Sequence, residues 1–307
     1  MAGTRKTAVA VVLAALALTA TACNNNDDSK NAAPAAPAPA APSSAAAATP
    51  SAATPTKVSP AVYLEQVTQK TSAAKSAKVD ETITIGAVAM KGTGAISWAD
   101  GLQGDLTMDM SGSPVGKVIA GLTGSESAPY RFTKDGMFLK IGGQAVDALG
   151  GKHWMHYSQA DQAKATGGAS DQLKSADPVE GVRSLIATGK VTEVGQETVA
   201  GKATTHYTGV LNSNDIAAAA GKGMTQDQLD QLKEKLTTAG ITSETIDVWV
   251  DADKLVVQRT EAGDTKAGTF KASVLYSDYG VAVTTTSPDP ADTVESSELQ
   301  KLAGGNS

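Results

Sequence analysis

Three histidines and one cysteine have the widest chemical repertoire in this 307-residue chain, and their spacing limits what each can do. His153 and His156 stand three apart in a stretch that reads as strand. Their side chains therefore point to opposite faces and cannot share a metal or a proton. His206, between Thr205 and Tyr207, takes the solvent-facing parity of its strand, where an ordinary surface histidine is expected. Asp251 and Asp253 would suit a cation, yet they flank a hairpin turn, where aspartate is common for backbone reasons. No Gly-x-Ser-x-Gly elbow, His-Glu-x-x-His helix or phosphate loop is present. The pattern offers no catalytic constellation, and neither an enzyme nor a metal or cofactor is expected. Cys23, being alone, excludes an internal disulfide framework or a thiolate cluster.

What matters about Cys23 is its position. Arg5 and Lys6 form a positive start, and Ala8 to Ala22 is an apolar run of about fifteen residues, short of the roughly twenty a spanning helix needs. This is a secretory signal with two processing routes. Ala20, Thr21 and Ala22 satisfy the small-residue rule for ordinary cleavage and release. The same residues followed by Cys23 resemble the lipobox of bacterial lipoproteins, whose cysteine is acylated and becomes the mature N-terminus. Ala20 stands where the lipobox usually has leucine; the nearest leucine is Leu18. A lone cysteine at this one place favours acylation over release, and with it anchoring to the outer face of the cytoplasmic membrane.

Residues 24–57 are low in complexity, rich in Asn and Asp and then in Ala, Ser and Thr. Pro34, Pro37, Pro39, Pro42, Pro50 and Pro55 deny helix to the alanines. Such a linker averages about 30 Å end to end and reads as a tether. The expected organisation is a signal over 1–22, an acylated Cys23 with tether over 23–57, a folded domain over 58–290 and a polar tail over 291–307. The formal charge is −6, and only 4% of the residues are aromatic. An acidic, aromatic-poor surface is a poor nucleic-acid binder.

The elements that carry these side chains are legible from capping and periodicity. Ser59 and Pro60 open a helix with Ala61, Leu64, Val67 and Thr71 at helical spacing. Val79, Ile83 and Ile85, then Ile96 and Trp98, then Leu106, Met108 and Met110 show the period of two expected of antiparallel strands. Val118, Ile119 and Leu122 make a short helix or a flap. Tyr130 and Phe132 turn at Asp135 and Gly136 and return through Met137, Leu139 and Ile141; Trp154 to Tyr157 follows. Asp177, Pro178, Val179 and Glu180 start a helix whose apolar face is Val182, Leu185 and Ile186, ending at Gly189. Further strands span 191–197, 203–211, 246–250, 255–257 and 270–276, with Val281 and Val283 in one more. Ile216 to Ala220 is a small helical piece. Thr225 with Gln228 caps a helix that turns Leu229, Leu232 and Leu236 inward. About a dozen strands in one antiparallel set must curl, with helices over the apolar face.

Several stretches resemble a known family. These are Cys23 with its tether, the segment from Gly150 to Met155, the run GKATTHYTG over 201–209, residues 225–233 and the hairpin from Asp247 to Asp251. Together they are similar to actinobacterial envelope lipoproteins of the LppX/LprG type, relatives in shape of the LolA-type lipoprotein carriers. The resemblance covers roughly residues 57–290 and implies an α+β half-barrel, a strongly curved antiparallel sheet with helices across its concave face. It further implies that some members hold acyl chains of a lipid or glycolipid inside.

The residues fit such a cavity. Met108, Met110 and Met137 lie on apolar strand faces, and methionine adapts to varied apolar shapes. The expected wall is Leu106, Met108, Met110, Leu139 and Ile141, with Val182 and Leu185 on the covering helix. Two functions follow. One is a membrane-anchored holder or carrier of a hydrophobic ligand. The other is a lipid-anchored interaction or sensory module with a packed interior, whose protein partners the residues do not name.

Overall fold

A computed structural model describes residues 58–159, 161, 176–220, 225–283 and 285–298. Cys23, the tether and most of the polar segment after Ser158 lie outside these residues. Helix α1 (Pro60–Ala74) begins as its sequence demands: the Ser59 hydroxyl accepts from the Val62 amide, Pro60 follows, and Leu64, Val67 and Thr71 are buried. It ends at Lys75, which takes the left-handed conformation, φ 68°.

Twelve strands then form one sheet: β1 (Ser76–Ile85), β2 (Val88–Ser97), β3 (Gln103–Asp109), β4 (Ser127–Thr133), β5 (Gly136–Lys140), β6 (Trp154–Ser158), β7 (Thr192–Val199), β8 (Lys202–Asn212), β9 (Ser243–Asp251), β10 (Val256–Thr265), β11 (Gly268–Ser277) and β12 (Thr293–Glu295). Their order is β12-β6-β5-β4-β3-β2-β1-β11-β10-β9-β8-β7. The two halves of the chain thus meet at the antiparallel pair β1–β11. Sterically favoured strand twist accumulates over twelve strands and curls the sheet, which stays open with β7 and β12 as its edges.

Among the described residues five more α-helices punctuate the strands: α2 (Pro114–Thr123), α3 (Gln144–Ala148), α4 (Pro178–Ala187), α5 (Ser213–Ala220) and α6 (Gln226–Ala239). In α4 the Asp177 carboxylate accepts from the Val179 amide, Pro178 takes the first helical position, and Val182 and Leu185 are fully buried. Each such burial contributes about 1.5–3 kcal/mol. Helix α4 lies against β8, β9 and β10, and α1 packs on α4, so the two cover the concave face. The capping box of α6 is complete, with Thr225 and Gln228 each accepting from the other's backbone amide.

Four expectations need correction. Trp98 lies just past β2, its indole N–H donating to the Ser72 carbonyl at 3.2 Å, so it ties the sheet to α1. Val281 and Val283 form no strand; the Val281 carbonyl accepts from the Ser76 hydroxyl instead, at 2.6 Å. Only Leu236 of α6 is buried, while Leu229 and Leu232 are half-exposed. The folded part also runs past Pro290, because β12 pairs in parallel with β6 and carries Val294 into the core. A three-residue strand is too short to announce itself by alternation.

Candidate functional site

The registers place the concave side chains in two belts that cross the sheet. One runs Met155, Leu139, Tyr130, Leu106, Gly94, Val79, Tyr276 over seven adjacent strands. The second runs Ala128, Met108, Gly92, Glu81, Val274, Arg259, Val248, Tyr207 over eight. On the β3–β6 side both belts are apolar. Where they cross β2 they hold only Gly92 and Gly94, which leaves a notch in the wall. Met108 leans into it: a Cβ on Gly92 would stand 2.7 Å from the Met108 Sδ and 3.4 Å from Glu81 Oε2.

Beyond the notch the chemistry changes. Glu81 (2% exposed), Arg259 (4%) and the half-buried Glu261 and Glu244 share the concave face with Tyr276. The Arg259 guanidinium donates to the Asp177 carbonyl at the start of α4, at 3.1 Å, and pairs with Glu261. Burial works against the charge on Arg259, but Glu261, Tyr276, Glu244 and Asp177 outweigh it and hold the guanidinium protonated. Burial and then Glu261 push the Glu244 carboxyl up to about 7. Burial likewise drives the Tyr276 hydroxyl far up, and that hydroxyl has no hydrogen-bond partner among the described residues. Helix α4 closes over this patch at two glycines, Gly181 on Arg259 and Gly209 under the Leu185 side chain.

All seven expected wall residues join one buried cluster: Leu106, Met108, Met110, Leu139 and Ile141 at 2–8% exposure, Val182 and Leu185 at 0%. Five lie along β3, β5 and their ends; Val182 and Leu185 lie apart from them on α4, over the β8–β10 side. The charged patch was missed because Glu81 shares the parity of Val79 and Ile83, and Arg259 and Glu261 share that of Val248 and Ile246 across the ladder. A charge on the apolar parity of a strand was the available signal.

The histidines are engaged in pairing. His153 Nδ1 lies 2.7 Å from Asp292, and His156 Nδ1 lies 2.9 Å from Glu295, so both fasten the C-terminal strand to β6. His206 does face outward, but it is enclosed: Nδ1 is 2.9 Å from Glu197, Nε2 is 3.0 Å from Asp247, and the ring stacks on Trp249. The Trp249 indole N–H, then His206, hold the Glu197 carboxyl below its usual range. Asp251 accepts from the amides of Asp253 and Leu255, as a turn aspartate does. A groove of about 580 Å³ lies at the β4–β5 turn, lined by Asp100, Gln103, Lys134, Asp135, Thr285 and Ser287. Its lining is polar, unlike an acyl-chain site.

No known family profile matches the chain. Two relatives do. An uncharacterized 31.2 kDa protein of Streptomyces griseus, encoded between rplA and rplJ, is 42% identical over 80% of this chain and 82% of its own. The Streptomyces coelicolor protein SCO4650, provisionally named a lipoprotein, is 30% identical over 98% of both chains. Among solved structures, the Mycobacterium tuberculosis lipoprotein LppX aligns with a TM-score of 0.42 and 13% identity, over 74% of this chain and 100% of that one.

Proposed function

Because the chain belongs to the family of these two streptomycete proteins, we propose that it is an envelope lipoprotein that holds a hydrophobic ligand on its concave face. The observation that carries this is the apolar half of the concave face: Leu106, Met108, Met110, Leu139 and Ile141 line one wall beside Gly92 and Gly94, where β2 adds no side chain of its own and those of Leu106 and Met108 lean in. Unbranched methionines at such a wall adapt to different apolar shapes. Val182 and Leu185, on α4, lie over the β8–β10 half and do not roof this wall. On this reading Cys23 is acylated and residues 24–57 tether the domain to the membrane's outer face. On this reading the chain binds rather than catalyses, and its three histidines act as partners of carboxylates that hold strands together.

Tryptophan at Met108 or Leu139 tests the ligand. Filling an occupied cavity displaces extractable lipid while stability is largely kept. Overpacking a filled core instead costs about 1–3 kcal/mol and displaces nothing. Cys23→Ser tests the anchor, and should move the chain from the detergent phase to the aqueous phase.

One observation favours the second reading, a packed interaction module. On the β8–β10 side α4 is seated tightly, with Gly181 on Arg259 and Leu185 on Gly209, so this half is filled by the chain itself. The ligand therefore belongs to the β2–β6 half.

A further inference from the structure

Helix α2 presents two exposed valines and a single charge on its outer face. Its inner side is fixed: Gly116 is pressed against the Met110 carbonyl, and Ile119 packs on the core. Its outer side presents Val115 at 40% and Val118 at 61% exposure, beside the open Gly121. Lys117 is its single ionisable group. Helix α6 of the same chain shows the contrast, turning Gln226, Asp227, Asp230, Lys233, Glu234 and Lys235 to solvent. Helix α3 packs beside α2 and adds the half-buried Val146 and Leu149, so the two helices make one apolar lip. The lip borders Met110 and Ile141, at the ends of the strands that carry the apolar wall.

We propose that the α2–α3 lip seats on the lipid bilayer to which the chain is tethered. This rests on the Cys23 anchor proposed above, and it deepens the ligand reading by naming the side from which an apolar molecule enters. Two facts select a bilayer as the occupant. Lys117 on α2 and Asp147 on α3 cancel, so on a chain of net charge −6 the two helices of the lip bring no net negative charge against an anionic leaflet. The 37 residues from Cys23 to Ser59, as a flexible chain, would keep the domain on average about 33 Å from its anchor. A handful of aliphatic side chains cannot hold a free protein to a bilayer. For a tethered domain the local concentration of membrane is already high, and a weak seat suffices.

The test uses the full chain purified from its membrane, with Val118→Cys labelled by the environment-sensitive fluorophore NBD. Val210→Cys, at a position 52% exposed on the opposite face of the sheet, serves as the control. An acylated Cys23 leaves one label per chain; two labels would show that the anchor reading fails. On vesicles of phosphatidylethanolamine and phosphatidylglycerol, emission at 118 should rise severalfold, shift to the blue and be quenched by shallow nitroxide lipids. Emission at 210 should not change. A 118 probe that stays solvent-like on vesicles overturns the proposal. So does one that shifts only on native membranes, since a protein is then the occupant. Membrane seating without extractable lipid would sink the ligand reading and leave the lip standing; extractable lipid without seating would do the reverse.

Discussion

Gly181 lies directly over the side chain of Arg259: a Cβ on residue 181 would stand 2.6 Å from Nε and 3.1 Å from Cζ. Arg259 cannot swing aside, because it is 4% exposed, donates to the Asp177 carbonyl and pairs with Glu261. Gly181→Ala must therefore lift α4 or break that network, and should destabilise the domain by about 1–3 kcal/mol. Urea denaturation measures this. A change within about 0.5 kcal/mol would mean that α4 is not seated on Arg259.

The charged patch makes a second, opposite prediction. Arg259→Met leaves Glu261 and Glu244 buried without their cation, which should cost about 3–5 kcal/mol. Adding Glu261→Leu to the same chain should recover most of that loss, since one uncompensated carboxylate is gone and its replacement is apolar. If the double variant is no more stable than Arg259→Met, the two residues do not act as a pair.

Stability should also depend on pH through Glu244. Burial first, and the negative Glu261 second, raise its carboxyl to about 7 from the usual 4.5. A raised value means that the folded chain binds this proton more tightly than the unfolded chain does. The contribution is complete below about 4.5 and is lost progressively as pH climbs towards about 7. Asp177, raised mainly by burial, works in the same direction. Glu244→Gln should flatten most of the decline across that window. An equally steep decline in the variant would place the titrating group elsewhere.

The halves of this structure differed in how readily the sequence disclosed them. Caps were legible because a few residues determine them locally: Ser59 with Pro60, Asp177 with Pro178, and Thr225 with Gln228 each open the helix expected. The strands of the β3–β5 side were legible because Leu106, Met108, Leu139 and Ile141 keep one parity without interruption. On the β9–β11 side the same parity carries Arg259, Glu261 and Tyr276, and a bulge between Val256 and Gln258 resets it. Alternation alone cannot place a charge inside when its counter-ions come from strands and helices far away in sequence. Strand β12 escaped notice for a related reason: its short ladder with β6 is reinforced by His153 and His156 reaching Asp292 and Glu295, partners some 139 residues apart in sequence.

The central claim is that the concave face holds a hydrophobic ligand, and the mass of the intact chain tests it most directly. Protein extracted from its own membrane in mild detergent would be weighed by native mass spectrometry, before and after extraction with organic solvent. The account predicts a mature chain that begins at Cys23 with its acyl groups, plus a further lipid-sized mass that the solvent removes and that Met108→Trp lacks. A single mass, unchanged by extraction and shared by wild type and variant, would contradict it.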